Sequence, residues 1–109
     1  MNEASHLIVQ TTVASEAQAQ HMAQLAIHQG LAACVHIEPI QSMYRWQGQI
    51  EHDAEWRLSF KTLPHLASPL VAALQAVHPY ELPAFYAVPA APLTTEWSQW
   101  VEQQLSAQA

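Results

Sequence analysis

Three thiol, imidazole and carboxylate side chains, Cys34, His36 and Glu38, alternate along one short stretch of the chain. In an extended strand, residues two apart share a face, with Cα atoms about 6.5 Å apart. Such a trio could converge on one soft or borderline ion, Cu or Zn. The same spacing also arises when a buried free cysteine sits beside a solvated histidine and glutamate. A second constellation is His78-Pro79-Tyr80-Glu81. Pro79 fixes the backbone, so His78 and Glu81 can serve as ligands or as a proton-transfer pair. Equally, the segment can be a turn whose His78 and Tyr80 bond backbone groups. Lys61 is the sole lysine, placed to bind an anion, to pair with Glu81, or to act as a plain surface charge. Tyr44, Trp46 and Trp56 are better explained as interface than as a ligand cage. The row Glu51, Asp53, Glu55 could hold a hard cation or simply face solvent. His6, His21, His28, His52 and His65 have no chelating spacing. There is no phosphate loop, nucleophile elbow or Ser-His-Asp signal, so no enzyme is expected.

The elements that must position these groups follow from periodicity. His6 to Val13 is nearly continuous in apolar and β-branched residues and predicts a central strand. Ser15 and Gln18 form a capping signal for a helix running to about Gln29, with Gly30 beyond its end. Ala32 to Thr62 predicts one long β-hairpin. In its second arm Ile50, Ala54, Trp56, Leu58 and Phe60 alternate with Glu51, Asp53, Glu55, Arg57, Ser59 and Lys61. A three-residue connection, Gln47 to Gln49, would set Trp46 opposite Ile50, Tyr44 opposite His52 and Arg45 opposite Glu51. A second helix is expected to restart at Ser68, with Pro69 in its first turn, and to stop before Pro79. Leu82 to Val88 predicts a proline-flanked edge strand. Thr94 or Thr95 caps a last helix bearing Trp97, Trp100, Val101 and Leu105. The order is β-α-β-β-α-β plus a C-terminal helix, an α+β, ferredoxin-like arrangement in one domain spanning 1–109.

The hairpin is too long for such a domain. Arms of roughly fourteen residues reach about 45 Å, whereas a compact ball of this size is about 35 Å across. A tip carrying Tyr44, Trp46, Ile50 and Trp56 would be wet, so a homo-oligomer is expected, the alternative being a bend at Pro39. With 109 residues, 50% hydrophobic, the chain can bury a core. A net charge of -6, with Arg45, Arg57 and Lys61 as the fixed cations, argues against nucleic acid and against an anionic membrane surface. No apolar run approaches the ~20 residues of a membrane span. Cys34 alone allows no intrachain disulfide, and MNEASH lacks a basic region, so a cytoplasmic protein is expected.

At these residues the chain resembles the CutA divalent-cation-tolerance family. The matching stretches are Thr11-Thr12, LAACV at Leu31 to Val35, S-x-Y-R-W-x-G-x-I at Ser42 to Ile50, Lys61-Thr62, and HPYELP at His78 to Pro83. They cover nearly the whole chain in the family's order. The resemblance implies a homotrimer in which long hairpins extend sheets between subunits, similar in architecture to the PII signalling trimers. It also implies an association with copper and other divalent metals, and places a site at the cleft between subunits on Cys34, Trp46, Lys61, His78, Tyr80 and Glu81. The sequence departs from the family at three positions. His36 adds a soft ligand where an amide is expected, Ala84 removes a carboxylate after Pro83, and Trp97 removes a hydroxyl. The leading expectation is a Cu(II)-binding trimer with ligands among Cys34, His36, His78 and Glu81. The alternative is a PII-like signalling or scaffold trimer whose intersubunit cleft takes a small anionic ligand through Lys61, with Trp46 and Tyr80 beside it. Acid-base catalysis by His78 and Glu81 ranks last.

Overall fold

The computed structural model describes residues 4–106. Its first strand, β1 (His6–Val13), lies in the interior of a four-stranded antiparallel sheet. Helix α1 (Glu16–His28) follows at once. The Ser15 hydroxyl accepts from the Gln18 N–H at 3.2 Å, satisfying one of the orphan donors of the first turn. At the other end Gly30, at φ +68°, takes the left-handed position. Its N–H donates to the Ile27 carbonyl and that of Leu31 to Ala26, the Schellman pattern that closes a helix.

The hairpin comprises β2 (Cys34–Trp46) and β3 (Gln49–Thr62). A 3-10 turn over Pro64–Leu66 leads into α2 (Ala67–Gln75), then come β4 (Tyr86–Ala90) and α3 (Thr95–Ser106). The sheet order is β2-β3-β1-β4, so β3 sits between the two arms of a split β-α-β unit. This is the α+β, ferredoxin-like arrangement. Val9, Val13, Leu58 and Phe60 from one sheet face meet Ala19, Met22 and Ala26 of α1 and Leu70 and Leu74 of α2. The alanines of α1 let the helix backbone lie close to the sheet. Each fully buried large side chain contributes about 1.5–3 kcal/mol.

Pairing runs unbroken from Cys34↔Lys61 to Trp46↔Gln49, passing through Pro39↔Trp56. The chain does not fold back at Pro39; β2 is an edge strand, where a missing N–H is tolerated. The long axis measures 46 Å, against 27 and 21 Å for the others, so the hairpin projects as its length requires.

Five expectations are corrected. The connection has two residues, Gln47 at φ +51° and Gly48 at φ +79°, the positive angles of a type I′ turn. Its twist matches that of the strands, so the register shifts by one: Tyr44 faces Glu51, Arg45 faces Ile50 and Met43 faces His52. Near an exposed tip, setting apolar beside polar side chains costs little. Helix α2 begins at Ala67, not at a Ser68 cap, because the 3-10 turn feeds it directly. Pro69 then falls in the first turn, where its missing N–H removes no bond. The last strand starts at Tyr86, four residues later than Leu82, because the preceding segment turns around His78. In α3 the inward stripe is Ser98, Val101 and Leu105, while Trp97 and Trp100 stay 39% and 42% exposed. Trp97 instead stacks on the buried His6, whose Nε2 lies 3.1 Å from the Ser98 hydroxyl. Trp56, expected at a wet tip, packs against the core.

Candidate functional site

The helices cover one face of the sheet. On the other face cross-strand pairing aligns Cys34 with Lys61, His36 with Ser59, Glu38 with Arg57, Ile40 with Glu55, Ser42 with Asp53 and Tyr44 with Glu51. Between the distal hairpin and the segment after α2 the chain forms an open cleft of about 1030 Å³. Its walls include Tyr44, Trp46, Asp53, Glu55, Tyr80 and Glu81.

Glu55 is the unusual member. It projects from the outer face of β3 yet is only 8% exposed. The Tyr80 phenol donates to its Oε2. Burial, then this bond, pushes the Tyr80 phenol well above its ordinary value; Tyr44 and Asp53 add to the effect. Beside it the Tyr44 phenol donates to Asp53 Oδ2 at 2.5 Å, and mainly through this bond is raised to about 12. Two neutral phenols thus each cap one carboxylate. Arg57 donates from Nε to Glu38 Oε1 at 2.9 Å, which strengthens its hold on its proton and occupies Glu38.

His78 stands behind the cleft. Its Nδ1 accepts the Tyr80 N–H at 3.2 Å, and its Nε2 lies 3.0 Å from Thr11 Oγ1. With Nδ1 accepting, the neutral ring carries its proton on Nε2 and donates to Thr11. The ring packs between Tyr80 and Phe85, at centroid distances of 5.1 and 5.5 Å. Burial lowers its pKa from 6.5, favouring this neutral form. His78 therefore orients the turn that delivers Tyr80 to Glu55.

The sequence-derived residues fall in two places. Trp46, Tyr80 and Glu81 line the cleft, with His78 just behind. Cys34, His36 and Lys61 lie toward the other end of the hairpin. Lys61 is six residues beyond Glu55, about 20 Å along the strand. His36 is exposed and Cys34 half-buried on one face, but Glu38 is turned to Arg57. Among the described residues no three His, Cys, Asp or Glu side chains are close enough to hold a metal ion together. Two contributors escaped sequence reasoning: Thr11 as the partner of His78, and Glu55 as a buried carboxylate. Alternation placed Glu55 on a solvated row, and only the return of the chain after α2 buries it.

The split sheet, its projecting hairpin and this cleft define a ferredoxin-like protein with an uncovered sheet face. The sequence profile of the CutA1 divalent ion tolerance protein matches residues 7–104, and the chain belongs to this family. It is 38% identical over 97 residues to the divalent-cation tolerance protein CutA of Thermus thermophilus, covering 88% of this chain and 94% of that one. The solved structure of CutA from Synechococcus elongatus superposes with a TM-score of 0.92 at 40% identity, covering 96% and 94%. A second structure of that cyanobacterial protein, complexed with a Bis-Tris molecule, gives 0.89 at 38% identity, covering 96% and 98%. No helix among the described residues is long and apolar enough to cross a membrane.

Proposed function

We propose that the protein binds divalent cations, Cu(II) foremost, as a non-enzymatic cytoplasmic homotrimer assembled through its hairpins. Membership of a divalent ion tolerance family supports the cation class. The observation that carries the reading is the distribution of donors along an uncovered face. Cys34 and His36 sit two residues apart on the same face of an edge strand, and Glu81 stands exposed at the far cleft. Thiolate and imidazole suit copper, but one chain supplies two such donors at a place where an ion needs three or four. A neighbouring subunit on the projecting hairpin supplies the remainder. Of the donors, Cys34 and His36 are the freest; His78 has both nitrogens engaged and would have to release Tyr80 or Thr11 to coordinate. The lone cysteine suits a reducing compartment.

Calorimetric titration with Cu(II) in a non-chelating buffer tests the reading. Cys34→Ser or His36→Ala is expected to weaken binding at least tenfold, which is ~1.4 kcal/mol. Unchanged affinity in both would remove this pair, and the same titration of His78→Ala then examines the second donor group.

A second reading is a PII-like scaffold trimer whose cleft holds a small molecule. It is favoured by the size of the cleft and its Trp46 and Tyr80 walls, and by the Bis-Tris complex of the cyanobacterial relative. Within one chain Lys61 does not line this cleft.

A further inference from the structure

The cleft has a charge and a surface that the metal reading does not use. Its lining holds the carboxylates of Asp53, Glu55 and Glu81 against a single cation, Arg57, which is committed to Glu38. Its aromatic walls are Tyr44, Trp46 and Tyr80. We propose that this cleft binds an organic ammonium ion, with Glu55 as counter-ion and the Tyr44, Trp46 and Tyr80 rings as its walls. The inference rests on the second reading above, that the cleft takes a small molecule, and specifies its chemical class.

Glu55 is suited to the role because it is fixed before any ligand arrives. It is only 8% exposed, and the Tyr80 hydroxyl holds one of its oxygens. A carboxylate has about four acceptor sites, so one phenol leaves capacity for a cationic N–H or for a methylated nitrogen at contact distance. Partial removal from water strengthens its field within the cleft. The phenols contribute in another way. Each gives its proton to a carboxylate oxygen, Tyr44 to Asp53 and Tyr80 to Glu55, so both rings stay neutral with electron-rich faces. A desolvated cation is drawn to such faces, and to that of tryptophan most of all.

The ligand classes separate on the same facts. A bare divalent ion needs several donors converging at about 2.0–2.6 Å, and the described residues offer no such cluster. A phosphate or carboxylate ligand would meet net negative charge without Lys61. An uncharged apolar molecule would leave the Glu55 carboxylate with the Tyr80 hydroxyl alone and its remaining acceptor sites unmet. An alkylated ammonium satisfies the charge and fills the apolar walls together.

The test is an NMR titration of the intact, assembled protein with tetramethylammonium chloride at constant ionic strength, observing tyrosine and tryptophan side-chain resonances. Tert-butanol, a neutral molecule of nearly the same shape, is titrated in parallel. The expected result is that tetramethylammonium shifts Tyr44, Trp46 and Tyr80 while tert-butanol does not. Glu55→Gln, which keeps an acceptor for Tyr80, should weaken the cation at least tenfold. Tyr80→Phe, which keeps the ring and leaves the carboxylate charged, should retain it. Equal binding of both probes, or unchanged affinity in Glu55→Gln, overturns the ammonium assignment and leaves a small-molecule cleft. Absence of any shift with either probe overturns the assignment and the small-molecule reading with it.

Discussion

Breaking the bond between Tyr80 and Glu55 should weaken the fold by a definite amount. Glu55 is 8% exposed, and its Oε2 accepts the Tyr80 hydroxyl. A hydrogen bond to a charged group contributes about 1.5–3 kcal/mol, and the cleft still admits some water, so the lower part of that range applies. Tyr80→Phe removes the donor and leaves a nearly buried carboxylate with one partner fewer, a loss of about 2 kcal/mol. Glu55→Gln keeps a neutral acceptor and should lose about 1 kcal/mol. The double variant should lose about 2 kcal/mol, so that the two single losses overlap by about 1 kcal/mol of coupling. Urea denaturation at one fixed protomer concentration measures all four corners, since an oligomer's stability depends on concentration. The sign with pH follows from the raised Tyr80 pKa. The neutral phenol's contribution is fully present below its unfolded value of 10.0 and is lost as pH rises toward the elevated folded value. The deficit of Tyr80→Phe should therefore be constant through neutral pH and shrink in alkali. Strict additivity of the two single variants, or a deficit that does not change in alkali, would refute the bond as a stabilising contact.

Other consequences are as specific. The His78 pKa is lowered by burial from 6.5, so the stability it confers is present above that value and is lost as pH falls through the lowered folded value. Thermal melts from neutral to mildly acidic pH should show this limb, flattened in His78→Gln. Gly48→Ala places a side chain at φ +79° with nothing within 4 Å, so its cost is purely conformational, about 1–2 kcal/mol by urea denaturation. Phe60, fully buried among the α1 and α2 side chains, should cost about 3–5 kcal/mol as Phe60→Ala, seen in the same measurement.

Most of the fold was legible because it is written in local periods. Alternation over Ile50 to Phe60 marks β3 and its buried face, and Ser15 with Gly30 brackets α1 to within a residue. The overlong hairpin follows from counting residues, and the 46 Å axis agrees. What failed was decided by features without a period. The register turns on whether Gln47 accepts a positive φ, a small local preference that strand twist overrides. Tryptophan spacing misplaced the buried stripe of α3, because Trp97 serves His6 rather than the core. The site was legible in part. His78, Tyr80 and Glu81 were found because Pro79 makes their geometry local. Glu55 was hidden because its burial depends on a contact with Tyr80, 25 residues away, and the row of acids around it is otherwise solvated. Cys34 and Lys61 face one another across the hairpin, at the end away from the cleft that Trp46, Tyr80 and Glu81 line within the chain; the site that the resemblance implies is shared between subunits.

On the proposed reading the hairpin joins copies of the chain, and the donors Cys34 and His36 at its base are completed by a neighbouring subunit. Light scattering on the protein in solution, followed by Cu(II) titration of the same sample, tests this most directly. The expected result is three times the 12.1 kDa chain mass and a simple ratio of Cu(II) per assembly, lost in Cys34→Ser. A particle of 12.1 kDa that binds Cu(II) with unchanged affinity after that substitution would contradict it.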